Sequence, residues 1–160
     1  MRSAINTGVV KEFRGEYSFL SNYYTAPFEW RGVVFHSAEQ AFAYAKTFVC
    51  DPRVQDVFRH DILAASTPGE AKKLGRAVPM TDVSVWDSTK VQYMREIVHS
   101  KFEQVVGLAG QLLNTGVMML VEGNTWNDTF WGRCKGKGYN HLGVILMEER
   151  GYWLHHEFGE

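Results

Sequence analysis

No stretch of this chain approaches the ~20 consecutive apolar residues that a membrane-spanning helix needs, so a membrane protein is not expected. The opening segment Met1–Val10 lacks the basic start and apolar stretch of a secretory signal, which makes the cytoplasm the expected compartment. Cysteine is scarce: Cys50 and Cys134 could close one bridge but no framework, and neither has neighbours at metal-ligand spacing, so both are read as reduced thiols. The six histidines show no H-E-x-x-H or similar grouping, and His155-His156 near the terminus reads as solvent-exposed; no metal and no cofactor are expected. An excess of one charge is missing too. A formal net charge of −1 excludes a domain that lives by non-specific attraction to a phosphate backbone, while leaving room for a local basic patch. Internal repeats, low-complexity tracts and linkers are absent.

What is present is an ordinary globular composition, 45% hydrophobic and 22% charged, over 160 residues, the size of one comfortable core. One domain over residues 1–160 is therefore expected. Aromatics reach 14%, with five Trp, more than a core of this size requires; rings remain to face a ligand.

The first 35 residues read as irregular with short strands, and Phe28–Phe35 as a small hairpin turning near Arg31-Gly32. A helix is predicted from Ser37, where Ser37 and Gln40 match a capping box and Ala38, Ala41, Phe42, Ala45 and Val49 supply an apolar stripe ending near Cys50. Asp51-Pro52 reads as another helix start. Thr67-Pro68-Gly69-Glu70 repeats that logic, with Gly75 expected to stop the segment. The longest amphipathic helix is predicted over about 84–104, and a shorter one should end at Asn114-Thr115-Gly116. Val117–Val121 reads as a buried strand, residues 123–140 as a polar, aromatic loop, and His141 to about Arg150 as a closing helix. The expected class is α+β, a mostly helical single domain with a few short strands.

Three constellations could carry chemistry. Glu39 and Lys46, at i and i+7, project from one helix stripe two turns apart. Glu39 sits where the helix dipole favours an ionised carboxylate, suited to act as a base or to stabilise the oxocarbenium ion of glycosidic cleavage. The same pattern describes a dipole-matched surface acid and a solvated lysine, the reading that an anonymous helix favours, so the spacing alone is weak evidence. The second constellation is Glu122–Gly132, where Asn127 and Asp128 suit ribose hydroxyls or a reacting water and Trp131 offers a stacking face; an Asx-rich turn with Trp plugs is its plain alternative. The third is Gly132–Asn140, whose glycines and lysines before a helix suit phosphate, or form a basic surface loop. It lacks Walker spacing, and no G-x-G-x-x-G follows a strand.

From about Phe13 to Arg150 the sequence resembles the NADAR (YbiA-like) family. The resemblance rests on six ordered blocks: Tyr17–Tyr23; Phe35–Phe42 with Ala45-Lys46; Gly75-Arg76; Trp86 with Met94-Arg95 and Lys101-Phe102; Asn127–Gly132; and Gly136–Gly143 with Leu146–Glu148. It implies N-glycosidase activity on ribose linked through nitrogen and carrying phosphate, either a ribosylamino-pyrimidine phosphate of riboflavin synthesis or ADP-ribose on guanine, the latter allowing ADP-ribosylated nucleic acid as substrate. By position, Glu39, Trp86, Asp128 and Trp131 match family active-site residues, and Lys46 matches a lysine proposed to attack the anomeric carbon through a Schiff base. Such a lysine must be neutral, which burial or a neighbouring cation would favour and an ionised Glu39 would oppose. Glu39-assisted attack by water ranks equally.

Gln40, where the family usually has His, and Arg133-Cys134, where small or acidic residues are common, depart from the pattern and bear on substrate choice. The expected division of labour makes Glu39, Lys46 and Asp128 catalytic. Asn127 would join Asp128 on the ribose, Trp86 and Trp131 would stack on the base, and Arg14 or Arg76 with the Gly136 loop would hold phosphate. Asn22 would position Glu39, and Phe19, Gly132 and Asn140 complete the expected substrate contacts. A non-catalytic NAD or ADP-ribose reader is the alternative, and a nucleic-acid binding module the third reading. The oligomeric state is left open.

Overall fold

Strands in this chain are too short to build a layer, so helices set the architecture. The computed structural model describes residues 8–158; Met1–Thr7, part of the segment read for a targeting signal, lie outside the described residues. In chain order come β1 (Val9–Val10), a 3₁₀ turn (Gly15–Leu20), β2 (Phe28–Trp30), β3 (Val33–Phe35), α1 (Ala38–Ala45) and a second 3₁₀ turn (Lys46–Val49). Then follow α2 (Gln55–Ala64), α3 (Pro68–Ala77), α4 (Val83–Gln104), α5 (Leu108–Asn114), β4 (Met119–Leu120), β5 (Gly123–Asn124), β6 (Arg133–Cys134) and α6 (His141–Phe158). The class is α+β and mostly helical. No helix among the described residues is long and apolar enough to cross a membrane. The elements divide into two compact units, Asn22–Val105 and the segments 8–21 with 106–158.

In Asn22–Val105, β2 and β3 form the expected antiparallel hairpin, with Phe28 opposite Phe35 and Trp30 opposite Val33. Its turn residues Arg31 and Gly32 both have positive φ, 51° and 79°, as a tight type I′ connection requires. Phe28, Trp30 and Phe35 are buried while Glu29 and Val34 face out, the two-residue alternation of a half-covered ribbon. The hairpin is held to α4 through Glu96: Trp30 Nε1 donates to Oε1 at 3.2 Å, and Arg31 donates to both carboxylate oxygens at 3.1 and 3.2 Å.

Ser37 caps α1, its hydroxyl accepting from the Gln40 N–H at 3.2 Å. The Gln40 side chain does not complete a capping box. It accepts from the His36 N–H at 2.7 Å and donates to the Ile62 carbonyl at 3.0 Å, tying α1 to α2. Asp51-Pro52 does not open a helix: the Asp51 carboxylate is taken by the Arg53 N–H at 2.9 Å and its guanidinium at 2.6 Å, and α2 begins at Gln55. Thr67 does cap α3, accepting from the Glu70 N–H at 3.2 Å. Gly75 does not end that helix. A Cβ there would sit 2.9 Å from the Ala43 Cβ, so glycine is where α3 and α1 touch, and α3 continues to Ala77. Ala43, Cys50, Ile62, Ala65, Ala71 and Val78 form one hydrophobic cluster between these helices, each buried methylene contributing about 0.8 kcal/mol.

In the other unit β1 pairs parallel with β4, Val9 with Met119 and Val10 with Leu120, and β5 pairs parallel with β6. The predicted strand 117–121 shrinks to two residues: Leu120 and Val121 are buried, but Val117 is 63% and Met119 43% exposed, so it is an edge segment. α5 stops where expected, with Gly116 at φ 63°. α6 runs well past Arg150, to Phe158. Within it, the Arg150 guanidinium donates to Thr115 Oγ1 and the Met118 carbonyl, both at 2.9 Å, pinning the helix mid-length. Cys50 and Cys134 are free and buried.

Candidate functional site

The first turn of α1 delivers Glu39. Its backbone N–H donates to the Asn22 carbonyl at 3.0 Å, which fixes where the helix begins, and the Asn22 amide donates to Met94 Sδ at 3.7 Å. Asn22 therefore holds the Glu39 main chain. Lys46 directly follows α1 and keeps helical dihedrals, φ −60° and ψ −27°, so the two-turn relation to Glu39 survives the change to 3₁₀ winding. Both side chains are half-buried. Lys46 Nζ lies 6.0 Å from the Phe42 ring centroid, and Phe42 packs at 5.2 Å on Trp86. Trp86 is only 4% exposed and has Tyr93 at 6.1 Å, so the indole stands behind Phe42.

Electrostatics make Lys46 unusual. Burial of its ammonium lowers its pKa from the ordinary lysine value, and Arg76, Lys72 and Lys90 push the same way while the Glu39 carboxylate opposes them. The net direction is down. Desolvation thus outweighs the neighbouring acid, the direction that favours a lysine nucleophile. Tyr23 is drawn into the same field: partial burial, then Glu39, raise its pKa, and Arg76 opposes. Lys72 Nζ lies 5.7 Å from the Tyr23 ring. Within this unit the charges of Glu39 and Arg76 both act on Lys46 and on Tyr23, with Trp86 one ring removed from Lys46.

In the unit containing 106–158, Asp128 organises its own loop. Its Oδ1 accepts from the N–H groups of Phe130 and Trp131 at 3.1 and 3.0 Å. Asn127 precedes it at φ 65° and is exposed, while Asp128 is half-buried. Trp131 is half-buried, edge-on to Phe130 with centroids 4.8 Å apart. Gly132 is buried, and a Cβ there would collide with the Glu122 carbonyl. Asn140 is 1% exposed at φ 56°: its Oδ1 accepts from the Glu122 N–H at 2.9 Å and its amide donates to the Leu120 carbonyl at 2.9 Å. Its side chain clamps the strand segment to the start of α6. Phe19 is buried in the 3₁₀ turn, and Arg14 and Gly136 are exposed and line one cleft.

Sequence reasoning missed Lys72, Lys90, Tyr23 and Phe42. Two of them carried a signal. Phe42 stands one helical turn from both Glu39 and Lys46, and Lys72 stands one turn before Arg76 on α3. Lys90 comes from α4, and only folding brings its charge to Lys46. Among the described residues, no group of three or more His, Cys, Asp or Glu side chains could hold a metal ion.

The chain, a mostly helical α+β fold, belongs to the NADAR family, whose domain model matches residues 10–152. Its particular relatives are named N-glycosidases. N-glycosidase YbiA of Escherichia coli is 35% identical over 136 residues, covering 84% of this chain and 81% of that protein. An N-glycosidase of Nostoc punctiforme is 38% identical over 122 residues, covering 76% and 72%. A riboflavin biosynthesis protein of Vibrio vulnificus is 35% identical over 135 residues, 84% of this chain but 35% of that longer protein. The NMR structure of E. coli YbiA superposes with a TM-score of 0.80 at 30% identity, over 98% of this chain and 91% of that one.

Proposed function

We propose that this chain is a hydrolase of N-glycosyl bonds that cleaves ribose from a base nitrogen, on a substrate carrying phosphate and acting in the cytoplasm. The observation that carries the reading is Lys46: a half-buried lysine whose pKa is lowered by burial and by three cations, two helical turns from Glu39. A neutral amine there attacks the anomeric carbon as the bond to the base nitrogen breaks, and the ribosyl-lysine formed opens to a Schiff base that water hydrolyses. Glu39 stabilises the cationic character at that carbon, accepts the proton of the attacking group and passes it to the departing base nitrogen. Arg76, with Lys72, supplies positive charge for a phosphate.

The names of the relatives support the N-glycosidase reading, and the riboflavin biosynthesis protein among them supports a ribosylamino-pyrimidine phosphate as one substrate. ADP-ribose on guanine, including on ADP-ribosylated nucleic acid, is the other. We also take residues 1–160 as one functional domain, a reading supported by a family match unbroken over residues 10–152. The test offers both substrates to the purified protein and follows free base by mass spectrometry. Release from either one, lost in Glu39→Gln and Lys46→Ala, is the expected result. Turnover unchanged in both variants removes the site assignment, and binding without release over long incubation makes the protein a reader.

A further inference from the structure

The unit formed by 8–21 and 106–158 contains a cleft of about 360 Å³, within the size range of small-ligand sites. Four cationic side chains, Lys11, Arg14, Arg133 and Lys135, line it against the single carboxylate of Glu12. That concentration is unexpected in a chain of net charge −1. Among the described residues Lys11 and Lys135 have no carboxylate partner, and Arg133 gives one N–H to the Gly138 carbonyl at 3.4 Å. Arg14 meets Glu12 only at 4.0 Å, with both side chains more than half exposed, a pair worth little in water.

The backbone holds these cations in place. Gly123 on β5 presses so closely on the Lys11 carbonyl that any side chain there would collide with it, which fixes the Lys11 segment against the cleft. Arg133 stands opposite Gly123 in the parallel ladder. Lys135 and Gly136 are the central pair of a tight turn, with φ 53° and 75°, closed by paired Cys134 and Lys137 backbone bonds of 2.9 and 3.1 Å. No aromatic ring lines the cleft, so it offers no stacking face for a base.

We infer that this cleft binds linked phosphates, the diphosphate or phosphodiester portion of a ligand, and does not read a base. The inference rests on the proposed function for taking the anion as a phosphate ester. Calorimetry with inorganic pyrophosphate, ADP-ribose and a short oligothymidylate, at low and high salt, tests it in wild type, Lys11→Ala, Arg133→Ala and Lys135→Ala. Pyrophosphate should bind wild type, weaken with salt, and lose about tenfold in affinity for each cation removed, with Lys135→Arg restoring binding. Loss of ADP-ribose binding in the variants identifies a diphosphate source, and loss of oligothymidylate binding a phosphodiester strand. Wild type that ignores pyrophosphate at millimolar concentration, or variants that bind it equally well, overturns the inference. Because this binding is read without turnover, a cleft that binds while no base is released leaves the inference standing and removes the glycosidase reading. Base release without pyrophosphate binding does the reverse.

Discussion

Asn124 and Asp128 hold each other reciprocally: the Asn124 amide donates to the Asp128 carbonyl at 2.8 Å, and the Asp128 N–H donates to Asn124 Oδ1 at 3.0 Å. The clasp closes the five-residue loop 124–128, and the Asp128 carboxylate then collects the Phe130 and Trp131 N–H groups. Asn124→Ala should cost about 1–3 kcal/mol in urea unfolding, because the Asp128 N–H and carbonyl and the Arg133 carbonyl lose a half-buried partner. Amide exchange at Phe130 and Trp131 should quicken if the clasp is what positions Asp128. Unchanged exchange there would show that the carboxylate finds its place without Asn124.

Lys46 predicts a sign for pH dependence. Its pKa is lowered, first by burial and then by Arg76, Lys72 and Lys90, against an opposing Glu39. Activity that needs the neutral amine therefore rises with pH through a value below the ordinary lysine pKa of about 10.4. Removing a cation with Arg76→Ala should move the Lys46 titration up, and Glu39→Gln should move it down. NMR titration of the Lys46 side chain reads both shifts independently of turnover. Stability follows the same proton balance. Between the lowered folded pKa and the unfolded value the unfolded chain binds more protons, so the cost of burying Lys46 shrinks as pH rises. At neutral pH Lys46→Met should stabilise the fold while abolishing activity, measured as a rise in Tm. A fall in Tm would mean that the ammonium is net stabilising there.

The lysine and water routes part on one chemical outcome. If the Lys46 amine attacks the sugar, cyanoborohydride added during turnover should reduce the Schiff base and leave a ribose-phosphate or ADP-ribose mass on the chain, at Lys46 and absent in Lys46→Ala. A water attack assisted by Glu39 leaves no adduct. In that case Glu39→Gln should still lower the rate by about 10²–10⁴, the usual contribution of a general base.

The Glu39–Lys46 relation was legible in the sequence because both residues belong to one helical segment, whose start Ser37 announces. Helix 83–104 and the hairpin at Arg31-Gly32 were legible for the same reason: their signals are local. Where a side chain has a choice of partner, local pattern failed. The Gln40 Oε1 takes the His36 N–H rather than the Ser37 N–H of a capping box, and Asp51 prefers Arg53 to a helix N-terminus. The field around Lys46 was hidden more deeply, because Arg76 and Lys72 arrive on α3 and Lys90 on α4. No spacing within α1 encodes them. The strand expected over 117–121 also failed for a tertiary reason, since its ladder with β1 holds just two residue pairs, Val9 with Met119 and Val10 with Leu120.

Gly75 was read as a helix stop and is instead a packing contact, which gives a prediction opposite in sign to intrinsic propensity. In an exposed helix interior Gly→Ala stabilises by about 1 kcal/mol. At Gly75 the new methyl would lie 2.9 Å from the Ala43 Cβ and 3.2 Å from its Cα, closer than carbon atoms tolerate, and 3.8 Å from Lys46 Cδ. Both neighbours at Ala43 sit on buried helix backbone or next to it, so α1 and α3 must separate by a few tenths of an ångström. Overpacking of this kind costs about 1–3 kcal/mol, which offsets the propensity gain, and Gly75→Ala should be destabilising overall. Ala43→Gly clears the space, so the double variant should recover most of what Gly75→Ala loses, a coupling of about 0.5–3 kcal/mol in a double-mutant cycle by urea unfolding. Because α1 carries Glu39 and leads into Lys46, the single variant should also lower turnover beyond its effect on folded fraction, and the double variant should restore it. Additive energies with no recovery would mean that the two helices yield freely at this contact and that Gly75 does not set their spacing.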